Sequence, residues 1–117
     1  MSYIVTGGCG FIGSNFVNYL CDTTDDTVFV IDKMTYAANE GNIDLDNISR
    51  GQARTYKCDL AIGCDSLKHM LQHSDVKGIF HFAAESHVDN SISDPSVFVD
   101  ANILGTFKLL EAIRACN

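Results

Sequence analysis

Residues 6–15 read Thr-Gly-Gly-Cys-Gly-Phe-Ile-Gly-Ser-Asn, directly after the apolar run Tyr3-Ile4-Val5 and directly before Phe16, Val17 and Leu20 at helical spacing. A strand that turns through glycines into a helix is the arrangement that seats a dinucleotide pyrophosphate. Gly7 suits the tight strand-to-helix turn, Gly10 a close approach of backbone to phosphate, and Gly13 close packing of the helix. The helix then offers unpaired N–H groups and the positive end of its dipole to an anion.

Downstream, Val28-Phe29-Val30-Ile31 is a β-branched run that ends in Asp32, 22 positions after Gly10. An acid about 20 residues beyond the turn is placed to accept hydrogen bonds from an adenosine ribose. Its charge repels a 2′-phosphate, which favours NAD over NADP; Lys33 beside it weakens that preference without reversing it.

The chain has 117 residues and 46% hydrophobic content, enough for one domain with a core and too little for two. A formal charge of −7 argues against a nucleic-acid partner or an anionic membrane surface. No apolar run approaches the roughly 18 residues of a membrane span, and the N-terminus lacks the pattern of a signal peptide. A cytoplasmic location is expected. The five cysteines form no Cys-x-x-Cys pair and read as reduced thiols, Cys9 as a small buried residue of the turn. His69 and His73 are an i,i+4 pair without a third ligand nearby, which reads as a solvated helix face; no metal site is expected.

Strand and helix patterns alternate without a linker or repeat, so the chain reads as one α/β unit. Strands are expected at Tyr3–Thr6, Thr27–Asp32, Arg54–Cys58 and Ile79–Phe82. A short amphipathic helix through Leu67, Met70 and Leu71 is expected behind Asp65 or Ser66 as cap. Between Thr35 and Gly51, Ile43, Leu45 and Ile48 suggest a short helix while Asn39, Gly41, Asn42 and Asn47 suggest loop. A last helix starts at Asp94-Pro95 and carries Val97, Phe98, Ala101, Ile103, Leu104, Phe107, Leu109, Leu110 and Ile113. So wide a stripe must be covered on more than one side. Right-handed crossovers make the sheet parallel, and the mononucleotide-binding half of a Rossmann sheet has order 3-2-1-4. The expected fold is thus a three-layer Rossmann-type sheet with flanking helices, ending after the fourth helix. Ligands bind beyond the carboxyl ends of strands one and four, where strand order reverses. The glycine turn and Ala83–Ser86 fall at those ends.

Several motifs together resemble the extended short-chain dehydrogenase/reductase superfamily, and within it the dTDP-glucose 4,6-dehydratases. Thr6 to Gly13 matches the superfamily turn. Asp32-Lys33-Met34-Thr35-Tyr36-Ala37-Ala38-Asn39 is similar to the dehydratases' Asp-Lys-Leu-Thr-Tyr-Ala-Gly-Asn, and Ala83-Ala84-Glu85-Ser86-His87-Val88-Asp89-Asn90-Ser91-Ile92 to their Ala-Ala-Glu-Ser-His-Val-Asp-Arg-Ser-Ile. Asn102-x-x-Gly105-Thr106 followed by Leu109-Leu110-Glu111 fits as well. The resemblance implies Gly7, Gly10, Phe11, Ile12 and Gly13 at the pyrophosphate and Asp32, Lys33 and Thr35 around the ribose. It also implies Asp59 and Leu60 at the adenine, and Phe82, Ala83 and Ala84 along the cofactor's middle. Glu85, Ser86 and His87 would face the nicotinamide and a nucleotide-sugar substrate. Family members are also implied to dimerise, and residues 95–116 are the expected homodimer surface.

The sequence departs from the family at Ala101, where many members have a cofactor-contacting Thr, at Asn90 in place of Arg, and in a longer loop between Leu60 and Cys64. The family's Tyr-x-x-x-Lys base and its Asp-Glu pair are both missing: Tyr3, Tyr19, Tyr36 and Tyr56 are followed four positions later by Gly7, Thr23, Glu40 and Leu60. The expectation is a partial NAD-binding domain over 1–117, without the substrate domain or catalytic residues, inactive alone. The alternatives are part of a nucleotide-sugar 4-epimerase, or an NAD-binding module without chemistry.

Overall fold

A computed structural model describes residues 1–33, 42–82 and 103–116. Four parallel strands, β1 (Ser2–Thr6), β2 (Thr27–Asp32), β3 (Ala53–Lys57) and β4 (Val76–His81), form one sheet in the order β3-β2-β1-β4. The expected fold and strand order are therefore the observed ones. Strand limits differ from expectation mainly in β4, which starts at Val76 and ends one residue before Phe82.

Alternation along the central strands divides the core between two faces. Val5, Val28 and Val30 point to one side, where they pack with Val17, Leu20 and Cys21 of helix α1 (Phe11–Thr23) and with Ile43. Ile4, Phe29 and Ile31 point to the other, against Leu67 and Met70 of α3 (Asp65–His73) and Leu109 of α4 (Gly105–Ala115). Two-sided cover is why β1 and β2 read as continuous apolar runs rather than alternating ones.

The ambiguous stretch before β3 contains a short helix, α2 (Leu45–Ser49), whose cap Asp44 accepts from the Asp46 amide at 3.1 Å. Asn18 of α1 holds it in place: its Oδ1 accepts from the Asp44 amide at 2.9 Å and from Asn47 Nδ2 at 3.3 Å. The cap of α3 is a correction. Neither Asp65 nor Ser66 but Cys64 occupies it, with Sγ accepting from the Leu67 amide at 3.4 Å. The helix starts one residue earlier than the capping rule suggests, and Asp65 lies in its first turn, where its charge complements the dipole.

Helix α4 follows a wider turn at Ile103–Leu104; its expected start at Asp94-Pro95 lies outside the described residues. Gly105 and Leu109 are buried, whereas Ile103, Phe107 and Leu110 are 64%, 57% and 60% exposed. The sheet thus covers one flank of the apolar stripe and leaves the other open among the described residues.

Candidate functional site

Backbone hydrogen bonds shape the start of the glycine turn. Gly7 adopts φ 69°, a left-handed conformation that glycine takes without steric cost. Its amide donates to Ile31 O at 2.7 Å, and its carbonyl accepts from Gly10 N at 3.2 Å. A Cβ on Gly13 would stand 2.2 Å from Gly7 O, so only glycine lets the first turn of α1 lie against the end of β1. Gly8 is restricted by side chains instead, because a Cβ there would meet Val30 Cγ1 at 2.5 Å. Gly10 differs: a Cβ would come no nearer than 3.5 Å to any neighbour among the described residues, and its φ of −74° suits any residue. Packing against the described residues does not require glycine at 10.

Beyond Gly10, the amides of Phe11, Ile12 and Gly13 precede the first carbonyl-paired amide of the helix, that of Ser14, which donates to Gly10 O at 2.9 Å. Among the described residues no side chain caps them. They form a donor set at the positive end of the α1 dipole, open to an anion.

Asp32 closes β2 beside this turn. It is 6% exposed, and its Oδ2 accepts from the Cys9 amide at 2.9 Å. A charge-assisted bond of this kind fixes both the carboxylate and the turn. Asn42 Nδ2 donates to Cys9 O at 3.2 Å, so the same peptide segment is held from a second side. Next along the sheet edge, Lys33 Nζ lies 3.5 Å from Asp59 Oδ2. Asp59 also organises its own loop: Oδ1 accepts from Ala61 N at 3.0 Å, and its carbonyl accepts from Ile62 N and Gly63 N. The Lys33–Asp59 pair is partly exposed, worth about 0–1 kcal/mol, and serves placement more than stability.

Asp32, Lys33 and Asp59 are thus gathered at the carboxyl ends of β2 and β3, next to Gly7, Gly10, Phe11, Ile12 and Gly13. Leu60 is not with them: its side chain is buried in the core with Ile31 and Leu67, which leaves its backbone for any contact beyond the sheet edge. Phe82 follows β4; its amide donates to Thr6 O at 2.9 Å and its ring stands 5.6 Å from that of Phe16. Thr35, Ala83, Ala84, Glu85, Ser86 and His87 lie outside the described residues, as do Asn90 and Ala101.

Three residues at this edge escaped the sequence reading. His81, the last residue of β4, bonds through Nδ1 to Thr6 Oγ1 and through Nε2 to Thr106 Oγ1 at 2.8 Å. Burial pushes its pKa below the usual histidine value. Thr6 and Thr106 are 75 and 25 positions away from His81 in sequence, beyond the reach of any local signal. His69 and His73 do lie together, with ring centroids 4.6 Å apart, but no group of three or more metal-ligating side chains occurs among the described residues. None of the described helices is long and apolar enough to cross a membrane.

Comparison with known proteins places these features in a family. The sequence signature of the family described as GDP-mannose 4,6 dehydratase matches residues 4–117. A dTDP-glucose 4,6-dehydratase of Escherichia coli is 44% identical over 117 residues, covering 97% of this chain and 31% of that protein. The crystal structure of the dTDP-glucose 4,6-dehydratase DesIV from Streptomyces venezuelae, with NAD bound, superposes with a TM-score of 0.87 at 40% identity, covering 99% of this chain and 36% of that one. UDP-glucose 4-epimerase from Thermotoga maritima superposes with a TM-score of 0.82 at 28% identity, covering 100% of this chain and 35% of that one. The chain spans about a third of the length of the curated relatives it matches. With its glycine turn, its strand order and nearly its whole length accounted for, the chain belongs to the GDP-mannose 4,6-dehydratase family.

Proposed function

We propose that this chain is the NAD-binding portion of a dTDP-glucose 4,6-dehydratase. The observation that carries the reading is the pairing of Asp32 with the glycine turn: a nearly buried carboxylate, fixed by the Cys9 amide, beside helix amides that no side chain among the described residues caps. The donor set suits a pyrophosphate and the carboxylate suits a ribose diol. Gly10, which packing does not constrain, gives the phosphate room.

Bound NAD⁺ would take a hydride from C4 of the nucleotide sugar and return it at C6 after water has left. The chain's own residues bind and orient. The amides of Phe11, Ile12 and Gly13 receive the pyrophosphate charge, Asp32 accepts from the ribose hydroxyls, and Lys33 with Asp59 borders the adenosine. Thr35, the backbone of Leu60, and Phe82, Ala83, Ala84 and Glu85 continue the cofactor surface, with Ser86 and His87 towards the sugar, on the strength of the motif resemblance. No tyrosine in the chain has a lysine four positions later, so the chain binds cofactor but does not turn over substrate alone. The reading further includes a cytoplasmic homodimer built on residues 95–116, supported by the open apolar flank of α4.

A 4-epimerase origin is the second reading, supported by the fold shared with the Thermotoga enzyme at lower identity. Calorimetric titration with NAD⁺, beside an Asp32→Ala variant, tests the main one. Saturable binding lost in the variant supports it; no binding by the folded wild-type chain overturns it.

A further inference from the structure

We propose that His81 is a positioning residue for the glycine turn, carrying the placement of α4 to the point where β1 enters that turn. The effect on dinucleotide affinity rests on the reading above; the mechanical link does not.

The imidazole sits between two hydroxyls. Thr6 is fully buried, is the last residue of β1, and is followed directly by Gly7, whose left-handed conformation starts the turn. Thr106 lies in the first turn of α4. In its neutral form the ring has one donor and one acceptor nitrogen, so one threonine donates and the other accepts, whichever tautomer is present. The Thr6 hydroxyl has no other hydrogen-bond partner among the described residues, so loss of His81 would leave a buried polar group unsatisfied at the mouth of the turn. Thr6 is also fixed on both sides by the sheet, opposite Ile31 of β2 and His81 of β4. A shift of α4 that pulls on Thr106 is therefore felt by Thr6, and through it by the peptide that orients Gly7 and Gly10.

The test compares the full chain with Thr106→Val, which cuts the α4 half of the link and leaves the Thr6 half in place, and His81→Phe, which removes both bonds while keeping a ring. Amide hydrogen exchange is read at the hydrogen-bonded turn amides of Gly7, Cys9, Gly10 and Ser14 and, as an internal reference, over Leu67–His73 of α3. Loss of one hydrogen bond should speed exchange in the turn roughly three- to tenfold in Thr106→Val and leave α3 unchanged. His81→Phe should exceed that effect. An unchanged turn in Thr106→Val, or equal acceleration in turn and α3, overturns the proposal, since either outcome reduces the link to general stability. NAD⁺ titration of the same variants should show affinity weakened by a similar factor. If the wild-type chain binds no NAD⁺, the cofactor reading fails and the exchange comparison still decides the role of His81.

Discussion

The carboxylate of Asp32 accepts the Cys9 amide at 2.9 Å, so the end of β2 and the middle of the glycine turn are one unit. This gives the residue two separable roles. Asp32→Asn keeps an acceptor oxygen for the amide and removes the charge offered to a ribose; Asp32→Ala removes both. Since hydrogen bonds to charged groups are worth about 1.5–3 kcal/mol, both variants should bind NAD⁺ about ten- to a hundredfold more weakly. Only Asp32→Ala should also lower the unfolding temperature by several degrees. Calorimetry and thermal unfolding on the same samples check this, and an Asn variant as unstable as the Ala variant would show that charge, not the acceptor, holds the turn.

The glycines separate in the same way. Gly13→Ala would drive a Cβ to 2.2 Å from a backbone oxygen that cannot swing aside, and should destabilise the chain by about 1–3 kcal/mol or more. Gly10→Ala meets nothing nearer than 3.5 Å among the described residues, and its stability should be unchanged within about 0.5 kcal/mol. Urea unfolding of the two variants measures the difference. NAD⁺ binding by Gly10→Ala should nevertheless be weakened, because the methyl group would occupy the phosphate's approach.

Legibility followed sequence distance. The turn, β2 and Asp32 were readable because glycine spacing, β-branched runs and a terminal acid are local signals within about 30 residues of chain. Gly8 was missed because what restricts it is Val30, on the neighbouring strand. His81 was missed because its partners come from β1 and α4, and the inward packing of the Leu60 side chain with Ile31 is set by a residue distant in sequence. The α3 cap went to Asp65 or Ser66 because thiols are weak acceptors; burial beside Leu67 made Cys64 the available one.

Burial also sets thiol reactivity. Desolvation, followed by a hydrogen bond with the Cys58 thiol, pushes the Cys64 thiol up to about 12, and burial raises Cys21 as well. The Cys64 thiolate is therefore scarce at pH 8. In timed alkylation with iodoacetamide followed by peptide mass spectrometry, Cys64 and Cys21 should remain unlabelled in the folded chain while the half-buried Cys58 and Cys116 react. Early labelling of Cys64 would contradict its place in the α3 cap.

The depressed pKa of His81 has a definite sign for stability. The unfolded chain takes up a proton near the ordinary value of 6.5, before the folded chain does. Between that value and the lower folded one, the unfolded state binds more protons, so stability rises with pH. The contribution is complete above 6.5, declines as pH falls below it, and levels off beneath the folded pKa. The difference in urea-unfolding free energy between wild type and His81→Phe should therefore shrink from pH 7.5 to pH 5, and a constant difference would deny His81 that titration.

The open flank of α4 makes the last prediction. Ile103, Phe107 and Leu110 recur at helical spacing, each more than half exposed, while Leu109 on the opposite flank is buried. A second copy presenting the same stripe about a two-fold axis would bury large apolar side chains, each worth about 1.5–3 kcal/mol when fully covered. Sedimentation velocity should then show a mass that rises towards a dimer with concentration. Phe107→Glu would place two like charges in such a self-complementary contact and should keep the chain monomeric, with little effect on unfolding of the monomer because the position faces solvent there. A wild-type chain that stays monomeric at high micromolar concentration would leave the stripe without a symmetric partner and turn attention to a different polypeptide as its cover.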